Sequence, residues 1–236
     1  MRTAELQEFC ERRERLRLNG STEDPILREY HFCNIDREHD RVTRVIREVV
    51  QPTLTDESRV WGSVLARLVN RDETLRALAG EGCLSSQAAW REHAASIIDT
   101  HKLNTSAYKL ITPLGLNSRD KVVASLPHAV KSQKYLRSLQ WDKPCLRSTH
   151  GLLKATIAAF VSFQVTLDLV GTEELVEPPD VETWTHPGPG AWRGVRRMRG
   201  ETLDSKMWAG KKCISSDATL NVSEASALAG IVEVHR

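Results

Sequence analysis

The sequence has no long apolar run, no paired-cysteine spacing and, across its first 100 residues, no lysine. Each absence excludes something. Without about 18 consecutive apolar residues there is no candidate membrane-spanning helix. The five cysteines, Cys10, Cys33, Cys83, Cys145 and Cys213, are scattered and form no C-x-x-C, which excludes a zinc site of the usual spacing. The start, MRTAELQEFCERRERLR, is charged and helical in pattern rather than a secretory signal. The expectation is an intracellular protein with reduced thiols. His31, His39 and His186 show no ligand spacing, so neither a metal nor another cofactor is expected. No G-x-x-x-x-G-K-[ST] run occurs, which argues against kinase activity by these residues alone.

What is present is helical periodicity. Few stretches alternate in the manner of strands, and there is no internal repeat. Residues 5–18 read as a charged helix stopped at Asn19-Gly20. Asp24-Pro25 reads as a cap and first-turn proline, opening a long helical stretch over 25–50 with one break near His31–Asn34 and a stop at Pro52. Further helices are predicted over 55–70, 73–80, 85–102, 126–139 and 150–170, the last being the most apolar, with a short basic helix near 191. The fold class expected is all-α.

Net charge is only +2, but it is unevenly placed. Residues 1–100 carry 15 Arg against 18 acids, and residues 101–154 carry 10 basic and 2 acidic residues. Residues 155–187 carry 6 acids and no base, and residues 188–236 carry 8 basic and 5 acidic residues. Two basic blocks flanking an acidic one are compatible with a phosphate-facing surface, or with an ordinary solvated surface of uneven charge.

Three constellations stand out. On a continuous helix, Arg37, Asp40, Arg41 and Arg44 of CNIDREHDRVTR would share a face, either as a surface ladder or as an Arg pair oriented by Asp40 to grip a phosphate. In FVSFQVTLDLV, Gln164 and Asp168 lie four apart on a helix that should be central. Buried there, Asp168 needs Arg or backbone donors, or it lines a cleft; alternatively it reaches solvent near Gly171. In HPGPGAWRGVRRMRG, Pro187-Gly188-Pro189-Gly190 would present a tight loop before a helix start at Ala191, with Arg193, Arg196 and Arg197 close by. That is an anion site by geometry, or a plain turn with a solvated basic face.

These motifs, in this order, resemble those of the α-glutamyl/putrescinyl thymine pyrophosphorylases, base-hypermodification proteins found largely in phage genomes. The matching stretches are EDPILREYHFCNIDREHDRVTR, FQVTLDLV and HPGPGAWRG, within residues 5–200. The family is similar in fold to helix-hairpin-helix DNA glycosylases. The resemblance implies one helical domain over 1–236 with two lobes, about 1–145 and 146–236. It implies double-stranded DNA carrying a modified thymine as one partner and a free amino acid or polyamine as the other. A cytoplasmic, phage-encoded protein in a bacterial host follows from it. Two departures stand beside it: no Pro-Trp-Thr precedes the first motif, and SALAGIVEVHR stands where members carry a Cys-Glu-aromatic-x-Lys-Tyr segment.

The activity so implied is displacement of pyrophosphate from 5-(pyrophosphoryloxymethyl)uracil in DNA by an amine, on a base taken out of the stack. Arg37 and Arg41, with Asp40, would stabilise the leaving group. Asp168 would orient or deprotonate the amine. Tyr30, Asn34 and Gln164 would contact the base or the donor. Gly188, Gly190, Arg193, Gly194, Arg196 and Arg197 would hold DNA phosphates. Other readings are a DNA glycosylase using Asp204 and Lys206, a catalytically silent DNA-binding partner, and the helical module that accompanies 5-hydroxymethyluracil DNA kinases.

Overall fold

A computed structural model describes residues 3–30, 34–103, 111–116, 118–138, 144–186 and 196. Packing divides the chain into two units, Met1–Asp40 with Val181–Arg236, and Arg41–Asp180.

In the first unit, helix α1 (Thr3–Asn19) ends where the Gly20 amide donates to the Leu16 carbonyl at 2.8 Å. Helix α2 (Pro25–Glu29) follows. Asp24 caps it by accepting from the amides of Ile26 (2.9 Å) and Leu27 (3.1 Å), and its other carboxylate oxygen takes the Arg12 guanidinium at 2.7 Å. One short acidic side chain therefore satisfies two free helix amides and ties α1 to α2. The expected stop and cap are both present.

The second unit is built on helix α4 (Arg59–Leu68), in which every residue from Val60 to Leu68 is buried. Before it in the chain come α3 (Arg41–Val45), a π-helical turn (Ile46–Val50) that packs on α4 and a 3-10 turn (Gln51–Thr53); after it come α5 (Asp72–Gly80) and α6 (Gln87–Thr100). The hairpin β1 (Ile111–Thr112) and β2 (Gly115–Leu116) precedes α7 (Arg119–Val123), α8 (Leu126–Arg137), α9 (Leu146–Leu153) and α10 (Ala159–Leu169). Helices α8 and α10 pack directly on α4, and α10 also packs on α9. The chain is thus all-α apart from one two-stranded hairpin, among the described residues.

Two expectations need correction. The stretch 25–50 is not one helix with a single break. Asp40 has an extended backbone (φ −70°, ψ 131°), which separates the short helical turn Arg37–His39 from α3. Likewise 150–170 is two helices. Ala158 is extended (φ −60°, ψ 142°), and Thr156 turns the chain by donating from Oγ1 to the Leu153 carbonyl at 3.0 Å. Helix α9 starts four residues earlier than expected because Asp180, far along the chain, accepts from the amides of Leu146 (2.7 Å) and Arg147 (3.0 Å).

Close packing of α4 depends on Gly62. A methyl group there would strike the Leu84 carbonyl oxygen, and would lie 2.7 Å from Leu54 Cδ2. Backbone cannot yield as a flexible side chain can. Gly62→Ala should therefore destabilise the protein by about 1–3 kcal/mol, read as a lowered Tm in a thermal melt. An unchanged Tm would mean that α4 and the Leu84 segment separate without cost.

Candidate functional site

Helix α10 carries the central motif, and its Asp168 meets α4. Asp168 is fully buried. Its two oxygens accept from one guanidinium, Arg67 Nε to Oδ2 at 2.5 Å and Arg67 Nη2 to Oδ1 at 2.6 Å. Arg67 Nη2 also donates to Thr43 Oγ1 at 3.2 Å. The end of α10 is closed by two further side chains. Arg47 donates to the carbonyls of Leu167 (3.1 Å) and Asp168 (3.0 Å), and Gln51 Nε2 donates to the Asp168 carbonyl at 2.6 Å. A cation and an amide thus occupy the negative end of the helix dipole.

This geometry settles the environment of Asp168 in favour of an Arg partner and against solvent exposure near Gly171. The carboxylate is fully enclosed and held in a bidentate fork, the strongest form of charge-assisted pairing. Arg67 was missed in the sequence, although the signal was there: a lone Arg inside VWGSVLARLV, matched by a lone Asp inside FVSFQVTLDLV. Gln164 lies one turn before Asp168 on α10 and is half-buried.

The first motif falls on both sides of the unit boundary. In the first unit, Asn34 spends its side chain on local order: Oδ1 accepts from Arg13 Nη2 and Nδ2 donates to the His39 carbonyl, both at 2.8 Å. It braces the turn Arg37–His39, which Asp36 caps through the Glu38 amide at 2.8 Å. Tyr30 is exposed at the end of α2, and Asp40 is exposed at the end of the turn. In the second unit, Arg41 is 67% exposed at the side chain and bonds Asp72 Oδ2 at 3.0 Å, while Arg76 bonds Asp72 Oδ1 at 2.5 Å. Because Asp40 breaks the helix, Arg37, Asp40, Arg41 and Arg44 do not form the expected face of one continuous helix.

Of the basic loop, only Arg196 is described; it is helical and half-buried. Gly188, Pro189, Gly190, Arg193, Gly194 and Arg197 lie outside the described residues, as do Asp204 and Lys206. Among the described residues, no cluster of His, Cys, Asp and Glu could hold a metal ion, and no helix is long and apolar enough to cross a membrane. Burial pushes the Cys83 thiol up to about 11, with Glu81 adding to the rise against a backbone hydrogen bond, so Cys83 is no nucleophile near neutral pH.

Two predictions follow from these ion pairs. Removing one partner of the buried pair, as in Asp168→Asn or Arg67→Met, should cost about 3–5 kcal/mol in a denaturant titration. An Arg67→Met/Asp168→Leu double variant should recover most of that loss, because it leaves no unpaired charge in the interior. At the surface, burial raises the Asp72 pKa, but the hydrogen bonds from Arg76 and Arg41 outweigh it and hold it below its ordinary value of 3.8. A lowered folded-state pKa stabilises above the ordinary value and loses that contribution as pH falls through the lowered one. Asp72→Asn should therefore cost less than about 1 kcal/mol at pH 7, and the difference from wild type should shrink to nothing in acid.

Comparison with known proteins adds what geometry alone does not. No curated protein and no solved structure matches the chain. A family model described as the helical domain of 5-hmdU (5-hydroxymethyldeoxyuridine) DNA kinase matches residues 3–223, nearly the whole sequence. That span takes in all three motifs, the buried Arg67–Asp168 pair and the basic block at 101–154, and on its extent the chain belongs to the 5-hmdU DNA kinase helical-domain family, within the chemistry of thymine hypermodification in DNA.

Proposed function

We propose that this helical domain binds DNA containing 5-hydroxymethyluracil and presents that base, out of the stack, for phosphorylation. The observation that carries the reading is the family match over residues 3–223, together with the basic block at 101–154. In the reaction, the base's hydroxymethyl oxygen forms a bond to the terminal phosphorus of a nucleoside triphosphate, its proton departs, and the diphosphate leaves. The 236 residues hold no G-x-x-x-x-G-K-[ST] run, so in this reading the nucleotide is held by a segment other than these residues. The domain's own work is phosphate contact, which positions the duplex, and base extrusion, which exposes the hydroxymethyl group.

A second reading rests on the order of EDPILREYHFCNIDREHDRVTR, FQVTLDLV and HPGPGAWRG. In it the chain itself replaces pyrophosphate on 5-(pyrophosphoryloxymethyl)uracil with an amino acid or amine: a C–N bond forms, the C–O bond to pyrophosphate breaks, and the amine loses a proton. Arg37 and Arg41 would then meet the leaving group, and the proton acceptor would be a residue other than Asp168. Asp168, through Arg67, would position α10 and Gln164.

One pair of measurements separates the readings. The purified chain is titrated with duplexes differing only in thymine, 5-hydroxymethyluracil or 5-(pyrophosphoryloxymethyl)uracil. The same mixtures, supplied with amino acids and putrescine, are then digested for nucleoside mass spectrometry. The first reading predicts tighter binding to 5-hydroxymethyluracil than to thymine, by about tenfold, as expected for hydrogen bonds made to the added hydroxyl, and unchanged nucleosides. A new adduct on the pyrophosphorylated base establishes the second reading instead. Equal binding to all three duplexes with no adduct contradicts both.

A further inference from the structure

The described surface of the second unit carries an apolar projection, the β1–β2 hairpin, within a basic segment. Strands β1 and β2 pair antiparallel, Ile111 opposite Leu116 and Thr112 opposite Gly115, leaving Pro113 and Leu114 as a two-residue tip. The tip is built rigidly. Thr112 is buried, and its Oγ1 accepts from the Leu114 amide and donates to the Gly115 carbonyl, both at 3.1 Å. Proline fixes one backbone angle, and Gly115 adopts φ +106°, a conformation that side-chain-bearing residues rarely take. Yet this ordered tip points apolar groups outward: Ile111 is 54% exposed and Leu114 42%.

A cation stands beside it. Lys121 Nζ lies 3.5 Å from where a Gly115 side chain would begin. Arg119, half exposed on the same helix α7, is held by the carbonyls of Asp99 (2.9 Å) and His101 (3.5 Å), with the Asp99 carboxylate 3.8 Å away. The hairpin sits inside the segment 101–154, which has 10 basic residues against 2 acidic ones. An apolar tip in such a field is poorly suited to self-association, since a second copy would bring the same positive charge to it. Its charge complement is a polyanion, and the polyanion with an apolar interior open to a rigid wedge is stacked nucleic acid.

We propose that the Pro113–Leu114 tip is a wedge that enters the base stack of duplex DNA, with Lys121 and Arg119 on the flanking phosphates, and so opens the step beside the base to be presented. Leu114 is the inserting side chain and Ile111 packs behind it against the exposed base. The wedge rests on the DNA-binding reading above, and deepens it by naming how the base leaves the stack. Because Leu114 is outside the core, shortening it leaves the fold intact.

The test uses the full chain and a duplex with 2-aminopurine next to 5-hydroxymethyluracil, since 2-aminopurine brightens when unstacked. Affinity is measured in parallel by anisotropy. Wild type and Leu114→Met should bind and brighten the probe. Leu114→Ala should bind with affinity within about threefold of wild type but lose the brightening by about fivefold or more, as expected when a wedge is removed and phosphate contacts remain. Full brightening by Leu114→Ala overturns the wedge and leaves DNA binding standing, as does binding by wild type without brightening. Failure of wild type to bind any duplex overturns the DNA reading itself, and the wedge with it.

Discussion

A guanidinium and a carboxylate removed from water have to find each other, or the helices that carry them cannot pack. Arg67 on α4 and Asp168 on α10 meet that requirement with two short hydrogen bonds inside the second unit. The pair fixes the height of one helix against the other, since a slip of one residue would separate the fork from its partner. Thr43 joins from α3, and Arg47 and Gln51 close the end of α10 from the turns that follow. Three stretches of sequence, about 43–51, 67 and 167–168, are therefore held by one polar network, with the apolar surface of α4 packed around it.

That network changes how the motif residues are to be understood. FVSFQVTLDLV reads as chemistry because a carboxylate lies on an apolar helix, and in the structure that carboxylate is paired with Arg67. Asn34 tells a similar story in the first unit, where its amide braces a turn instead of facing outward. Exposed among the candidate residues are Tyr30, Asp40 and Arg41, and in the segment 101–154 the described Lys102, Arg119, Lys131, Lys134, Arg137 and Arg147. Buried polar residues hold the frame and exposed cations lie at the surface, an arrangement in keeping with the DNA-binding reading proposed above.

Much of the helix content was legible because its signals are local. Asn19-Gly20 stops α1, Asp24-Pro25 starts α2, and Ser86 caps α6, each acting on neighbours in sequence. Illegible features depend on distant partners or on subtle backbone changes. The start of α9 is held in part by the distant Asp180, beside the local Cys145–Ser148 capping box. The breaks at Asp40 and Ala158 carry no proline or glycine to announce them. The β1–β2 hairpin is too short to show alternation, and α4 looks amphipathic until Gln133, from α8, is seen bonding the Trp61 amide and closing its first turn. The partner of Asp168 was inferable as a type, an arginine, but not as Arg67, because pairing across 101 residues leaves no local trace.

The central claim is that the second unit meets DNA through its basic segment while its buried ionic network stays in place. Hydrogen–deuterium exchange with and without 5-hydroxymethyluracil duplex tests this directly. The account predicts slower exchange on DNA binding in peptides covering 111–116 and 118–138, with the already protected amides of α4 and α10 unchanged. Protection confined to the first unit, or loss of protection in α4 and α10 on binding, would contradict it.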